Sequence, residues 1–384
     1  GGARFGGLQL GGALAVAACA EAPTGVTAPD PPLQLTLASS IRGPCPGPAT
    51  VVVTDETGLH AAVAAAAPGD VIAIDGTITL TTGFVHFQTG DVTLTCATRG
   101  SGLAADASAA LFYMIVVAAP RVTVSNLLLD GRNVNQPYYS NNNGGTALGS
   151  EPRLLDNAMY CGSQTCAFLV NGTSAVVAGN YFEAASGVTG VHLQGPASDD
   201  ARVERNTLVA TAPIVSPAFG AIRVRDGDRM VVAHNTITGP WRNGMATASA
   251  FQLLIEMNSV GGAREFGLRL STNAPIPTAG AVIRNNQFTG AGSAGIFAQL
   301  LCSALFVGNN LNGNAGNTGL IFNATTGANT VVGNTTVAID NGAFDCDGDG
   351  VNDPNIIGGK GAVLHGVNLG SLVSDGMTES NVLR

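Results

Sequence analysis

Seven stretches of the chain share one arrangement of apolar and polar positions. Each has an apolar residue, two spacers, an asparagine, one spacer and a closing residue that is apolar in all but the last copy. The copies are Val177–Asn180–Phe182, Val203–Asn206–Leu208, Val232–Asn235–Ile237, Ile255–Asn258–Val260, Ile283–Asn286–Phe288, Phe306–Asn309–Leu311 and Val331–Asn334–Thr336. Successive asparagines lie 26, 29, 23, 28, 23 and 25 residues apart. A fixed motif recurring every ~20–50 residues marks stacked repeats. Within each copy the apolar residues alternate with spacers, as along a strand with one face inward. Asparagine suits a corner, because it tolerates left-handed backbone angles and bonds its own neighbours. Asparagines on successive coils can also stack into an amide ladder. No helical pattern separates the strands, so the chain reads as all-β, a right-handed parallel β-helix of about ten coils.

Taken in order, residues 1–19 read as the remnant of an export signal, with Arg4 as the positive flank and an apolar stretch from Leu8 to Ala18. Val16-Ala17-Ala18-Cys19 resembles a bacterial lipoprotein box, in which Cys19 would carry the lipid. Residues 20–50, rich in Pro, Ala, Thr and Gly, read as an extended tether. The β-helix domain is expected over 51–384. It opens with a strand at 51–54 and a short helix at 57–66 showing Leu59, Ala62, Val63 and Ala66 on one face. A solenoid end exposes raw apolar cross-section, so this helix is expected to cap the first coil. Val122-Thr123-Val124-Ser125-Asn126 is an irregular copy of the motif. Residues 131–170 break the rhythm and read as a loop insertion, in which the paired Tyr138-Tyr139 would be free to stack on a sugar.

The start of this domain resembles the pectin-lyase-like superfamily of right-handed β-helices. The resembling residues are Leu59-x-x-Ala62-Val63-x-x-Ala66, Pro68-Gly69-Asp70-Val71-Ile72 and Asp75-Gly76-Thr77-Ile78, followed by the Val-x-x-Asn coils, over roughly 51–340. The resemblance implies the fold. It leaves activity open, because that superfamily holds lyases, hydrolases, epimerases, adhesins and phage tailspikes.

Composition narrows the partners. Hydrophobic residues make up 45% and aromatic residues only 5% of the 384, so the core is built from short branched side chains. A net charge of −9 speaks against nucleic acid, which requires a basic field. Cysteines stand at 19, 45, 96, 161, 166, 302 and 346. With Cys19 lipidated, six remain for three disulfides in an exported protein. The expected pairs are 161–166, 302–346 and 45–96.

Three constellations could carry chemistry. The segment 345–353, Asp345-Cys346-Asp347-Gly348-Asp349-Gly350-Val351-Asn352-Asp353, resembles calcium loops of the EF-hand, dockerin and thrombospondin type-3 kind, with Asp345, Asp347, Asp349 and Asp353 as ligands for Ca2+. Ile356 stands where an EF-hand has its bidentate Glu, so a full EF-hand is excluded. The second constellation is a face. Period-2 alternation points Val191, Ile222, Leu268 and Ile296 inward. It points His192, Arg223 and Arg269, and beside them Gln194, Arg225, Ser271 and Gln299, outward in two columns. The resemblance implies that this strand lines a substrate groove. His192, Arg223, Arg225 and Arg269 are then the candidate catalytic and binding residues: arginines for uronate carboxylates, His192 as the better base. The third is the pair Glu204 and Glu256, two coils apart with His234 between, at ~9.6 Å by strand spacing, against ~6.5–9.5 Å in inverting glycosidases. The bland reading of that pair is surface glutamates bridged to Arg205 or Arg284. Of the polygalacturonase blocks only Asp199-Asp200 is present.

The expectation is an exported β-helix protein of the bacterial cell envelope, or secreted, touching the membrane only through a lipid at Cys19. It would bind or process polysaccharide, by lyase or hydrolase chemistry if it is an enzyme. The rival is a non-catalytic adhesin or rigid rod.

Overall fold

The computed structural model describes residues 41, 43–141, 151–185, 189–214, 220–271, 278–335, 337–358, 362–365 and 379–380. Strands pair with the strand one turn on, in parallel, and fall into three long sheets. Sheet one has thirteen strands, from Val51–Val53 to Ile356–Gly358. Sheet two has nine, from Thr77–Leu80 to Gln287–Thr289. Sheet three has thirteen, running from Val85–Phe87 to Ala362–His365, where antiparallel Glu379–Ser380 closes it. The result is a parallel β-helix of about eleven turns, close to the ten expected.

The inward positions of sheet one form an unbroken apolar file. Val124, Leu154, Val177, Val203, Val232, Ile255, Ile283, Phe306 and Val331 sit in register, all buried. Each such side chain contributes roughly 1.5–3 kcal/mol on burial. At the start of the sheet-three strand Asn243–Ala248 the interior is too narrow for a side chain: a Cβ on Gly244 would lie 2.2 Å from Val260 Cγ1.

The asparagines stand in a vertical file. Each Nδ2–H donates to the Oδ1 of the asparagine one turn on, at 2.7–3.0 Å, from Asn157 through Asn180, Asn206, Asn235, Asn258, Asn286 and Asn309 to Asn334. The same Oδ1 accepts the backbone N–H of the asparagine below it. The second Nδ2 hydrogen goes to a carbonyl of the previous turn, as from Asn206 to Val177 at 2.8 Å. This ladder satisfies backbone groups that a buried corner would otherwise strand.

Two expectations about this corner change. The left-handed residue is not the asparagine but the one before it: Asp156, Gly179, Arg205, His234, Met257, Asn285, Gly308 and Gly333 all have φ between 53° and 70°. The asparagine's task is the ladder alone. Asn126 looked irregular because it occupies the left-handed position, at φ 57°. Leu127 stands in the ladder position, and its N–H donates to Asn157 Oδ1 at 3.0 Å.

The described parts of 131–170, residues 131–141 and 151–170, are built mainly of strands rather than loop. They hold strands Gln136–Asn141, Arg153–Leu155, Ala158–Tyr160 and Thr165–Val170, all in the common register. Leu154–Asn157–Met159 is an eighth copy of the motif. Tyr138 is fully buried in the core, and only Tyr139 faces out.

The cap is as expected. Helix Glu56–Ala65 starts at Asp55, whose carboxylate accepts the Gly58 N–H at 2.8 Å, and it buries Leu59 and Val63. The disulfides are 45–96, 161–166 and 302–346. The expected tether is not wholly free: Cys45 is tied to Cys96, and Ile41 is buried against Leu128, Ala158, Tyr160 and Tyr181. The export signal and Cys19 lie outside the described residues. No helix among the described residues is long and apolar enough to cross a membrane.

Candidate functional site

The outward face of sheet three carries one file that changes character along the axis. In register it reads Tyr139, Phe168, His192, Arg223, Ala246, Arg269, Phe297. Gln194 and Arg225 stand beside His192 and Arg223 in the neighbouring file. The two columns drawn from alternation are therefore real, and His192, Arg223 and Arg225 meet on adjacent turns. Arg269 lies two turns beyond Arg223, ~9.6 Å along the axis.

The first half of the file is aromatic. Tyr113 and Tyr139 stack at 4.8 Å, Tyr139 and Phe168 meet at 5.7 Å, and Phe168 and His192 stack at 4.6 Å. Sequence reasoning missed this ladder because 131–170 was set aside as a loop. The signal was present in the alternation of Cys166-Ala167-Phe168-Leu169.

His192 is buried, and its Nε2 has no hydrogen-bond partner among the described residues. Burial, reinforced by the charges of Arg223 and Arg225, pushes its pKa down to about 3. A neutral imidazole that weak is poorly matched to proton abstraction near neutral pH. The expected role as base does not fit this setting.

Arg223 is buried too. Burial and the neighbouring Arg225, partly offset by Asp226, lower its pKa to about 10, so it stays charged at neutral pH. Arg225 is held by Asp226 at 2.7 Å. Arg269 makes no ion pair among the described residues; its guanidinium lies 6.0 Å from the Phe297 ring centre. Between Arg223 and Arg269 the file drops to Ala246, which opens a small pocket. The two arginines border it, with Asn243, Thr247, Ala248 and Ser271 around them. Among the described residues no carboxylate lines it.

The other constellations lie elsewhere. Glu204 and Glu256 are on sheet one, in one file with Ala233 between them. Glu204 pairs with Arg202 and Arg205, and Glu256 with Arg284 at 2.6 Å. Both carboxylates are bridged to arginines, Glu204 buried and Glu256 half-buried, and they do not form an acid–base pair. Asp200 is held by Arg229 at 2.8 Å. In the acidic loop, ligand oxygens of Asp345, Asp347 and Asp353 lie within 4.8 Å of one another; Asp349 is outside that group. Asp345 accepts the Gly348 and Gly350 N–H groups at 2.7 Å each, the first of which is outweighed by the second in holding its pKa below the ordinary carboxylate value. The donor set is all oxygen, as a hard cation requires.

Residues 166–336 match the family model described as a right handed beta helix region. Among solved structures, the chain is similar to a DFA-IIIase from Arthrobacter chlorophenolicus A6, at TM-score 0.50 and 13% identity, over 78% of this chain and 82% of that one. It is also similar to a PL6 family polysaccharide lyase from Pseudopedobacter saltans, at TM-score 0.48 and 12% identity, over 84% and 94%. An alginate lyase from Paenibacillus follows at TM-score 0.43 and 14% identity, over 80% and 97%. No curated protein matches the chain. Likeness at these identities speaks to the fold alone, and the sheets described above agree with the matched family model: the fold is a right-handed parallel β-helix.

Proposed function

We propose that the protein binds an anionic, uronate-containing polysaccharide along the outward face of sheet three. One observation carries the reading. Arg223 and Arg269 flank Ala246 in a pocket whose described lining residues include no carboxylate, on a chain whose net charge is −9. Each guanidinium offers a fork of donors that fits a carboxylate. The carbohydrate-processing names of the structural neighbours agree with this reading. Binding without turnover is favoured over lyase chemistry, because His192 is too weak a base. Three disulfides fit an oxidising compartment and hence export. The lipid anchor at Cys19 is part of the same proposal.

The test is calorimetric titration with polygalacturonate, alginate and a neutral glucan, run beside an ultraviolet assay for unsaturated products. The acidic polymers should bind, more weakly as salt rises. Replacing both arginines, Arg223→Ala with Arg269→Ala, should remove that binding. Equal binding of the neutral glucan, or unaltered binding by the double variant, would overturn the proposal.

We also propose that Asp345, Asp347 and Asp353 take Ca2+, with Asp349 shaping the loop through its bond to the Val351 N–H at 2.7 Å. Calcium should raise the melting temperature, and Asp345→Asn should abolish the rise. Its role is structural, since Cys302–Cys346 ties this loop to the solenoid away from the arginines.

A further inference from the structure

The N-terminal end of the same face holds two side chains that the arginine pocket does not use. Phe84 and Phe112 are 39% and 43% exposed. They come from neighbouring turns, and both meet Tyr113 at steep angles: Phe84 at 6.0 Å and 80°, Phe112 at 4.7 Å and 62°. Phe84 also touches His86 at 5.7 Å. Neither phenylalanine is stacked face to face with a neighbour, unlike Tyr113, whose ring lies against Tyr139.

One exposed phenylalanine needs no explanation. Two together, continuous with an aromatic file that leads to two arginines, form a platform in a chain that is only 5% aromatic. We propose that this platform is a stacking subsite for a sugar ring of the same glycan, which lies along the solenoid axis. The inference rests on the polysaccharide reading above and adds a second anchor to it. A pyranose ring has one face made of C–H groups, and aromatic rings hold such faces by area burial and by their negative π surface. The alternative occupant, a protein, would require a patch far larger than two rings.

The spacing sets the length of the ligand. Five turns separate the Tyr113 strand from the Ala246 strand through the pairings of 113–117, 136–141, 165–170, 189–194, 220–225 and 243–248. At the strand spacing this is ~24 Å. A ligand that reaches both anchors is therefore an extended oligosaccharide, with a carboxylate at the arginines and an apolar ring face at the phenylalanines. Short oligomers reach only one anchor.

The experiment is titration with oligogalacturonates of graded length. Wild type, Phe84→Ala with Phe112→Ala, and Arg223→Ala are compared. In wild type, affinity should step up about tenfold once the oligomer spans both anchors. In the phenylalanine double variant that step should vanish, while short oligomers bind as to wild type. Replacement by Phe84→Tyr and Phe112→Tyr should restore the step. Both side chains are at the surface, so circular dichroism and melting should match wild type.

Long oligomers that bind the double variant as tightly as wild type would overturn the subsite. If Arg223→Ala still weakens them, the polysaccharide reading survives that result. If no oligomer of any length binds wild type, reading and subsite fall together.

Discussion

The asparagine corner and the outward face of sheet three repeat once per turn, on the same strand spacing, yet they behave oppositely. At the corner the side chain is identical on eight consecutive turns, Asn157 to Asn334. On the face it runs from ring to imidazole to guanidinium to methyl within five. The corner is closed on itself. From Asn157 to Asn309 every amide serves the turn above and the turn below, so a change at one rung strands groups on two others. The face has no such mutual demand. Side chains on it differ from turn to turn, and variation is permitted where a ligand would be read. Uniformity along this solenoid marks what holds it up, and departure from uniformity marks what it offers to a partner.

The largest effect expected tests the corner. Asn235→Ala removes the acceptor of the Asn206 side chain and N–H and the donor to Val203. It should cost about 3 kcal/mol of stability in denaturant titration, since each stranded buried group costs ~1–3 kcal/mol. Arg223→Ala, the matching change on the face, should leave stability within about 1 kcal/mol, because it also relieves a buried charge. Comparable losses at both sites would make the face structural and break the comparison.

The next effect is in acid. His192 has a folded pKa of about 3, below its ordinary value, so the unfolded chain binds the extra proton first. Stability is complete above about pH 6.5 and falls as pH drops toward 3, at most about 1.4 kcal/mol per pH unit. His192→Phe keeps a ring against Phe168 and removes the titration. The variant should match wild type at pH 7.5 and exceed it by up to about 2 kcal/mol at pH 5, read by thermal melts. Identical acid profiles would show that His192 is not held neutral.

A smaller effect sharpens the division of labour between arginines. Arg225 already answers Asp226. Arg225→Ala should weaken acidic polysaccharide about threefold or less, whereas Arg269→Ala should weaken it about tenfold, by calorimetry. The smallest concerns sheet one. Glu256→Gln breaks the Arg284 pair, which is largely solvated on the arginine side, and should change stability by under about 1 kcal/mol with no effect on any ligand. A loss of polysaccharide binding in that variant would return Glu256 to the list of candidate functional groups.

Much of the fold was legible in the residues before any coordinates. The period of the asparagines, the alternation of Val and Ile around them and the amphipathic 57–66 segment determine the solenoid, its cap and even the outward columns of His192, Arg223 and Arg269. They do so because a corner that satisfies its own backbone must recur at every lap. The three disulfide pairs formed are the ones expected, although an even count of cysteines by itself allows other pairings. What alternation does not encode is which side of a corner bends left. Nor does it say whether an outward residue is bathed or buried. Gly179, Arg205 and Met257 share a backbone angle but no chemistry, so only the folded chain shows the left-handed step before each asparagine. His192 alternates outward as a solvated residue would, yet Phe168 on one turn and Arg223 on the next bury it and keep it neutral. Exposure and charge state are sums over neighbours from different turns, some 25 residues away in sequence, and those sums exist only once the turns are stacked.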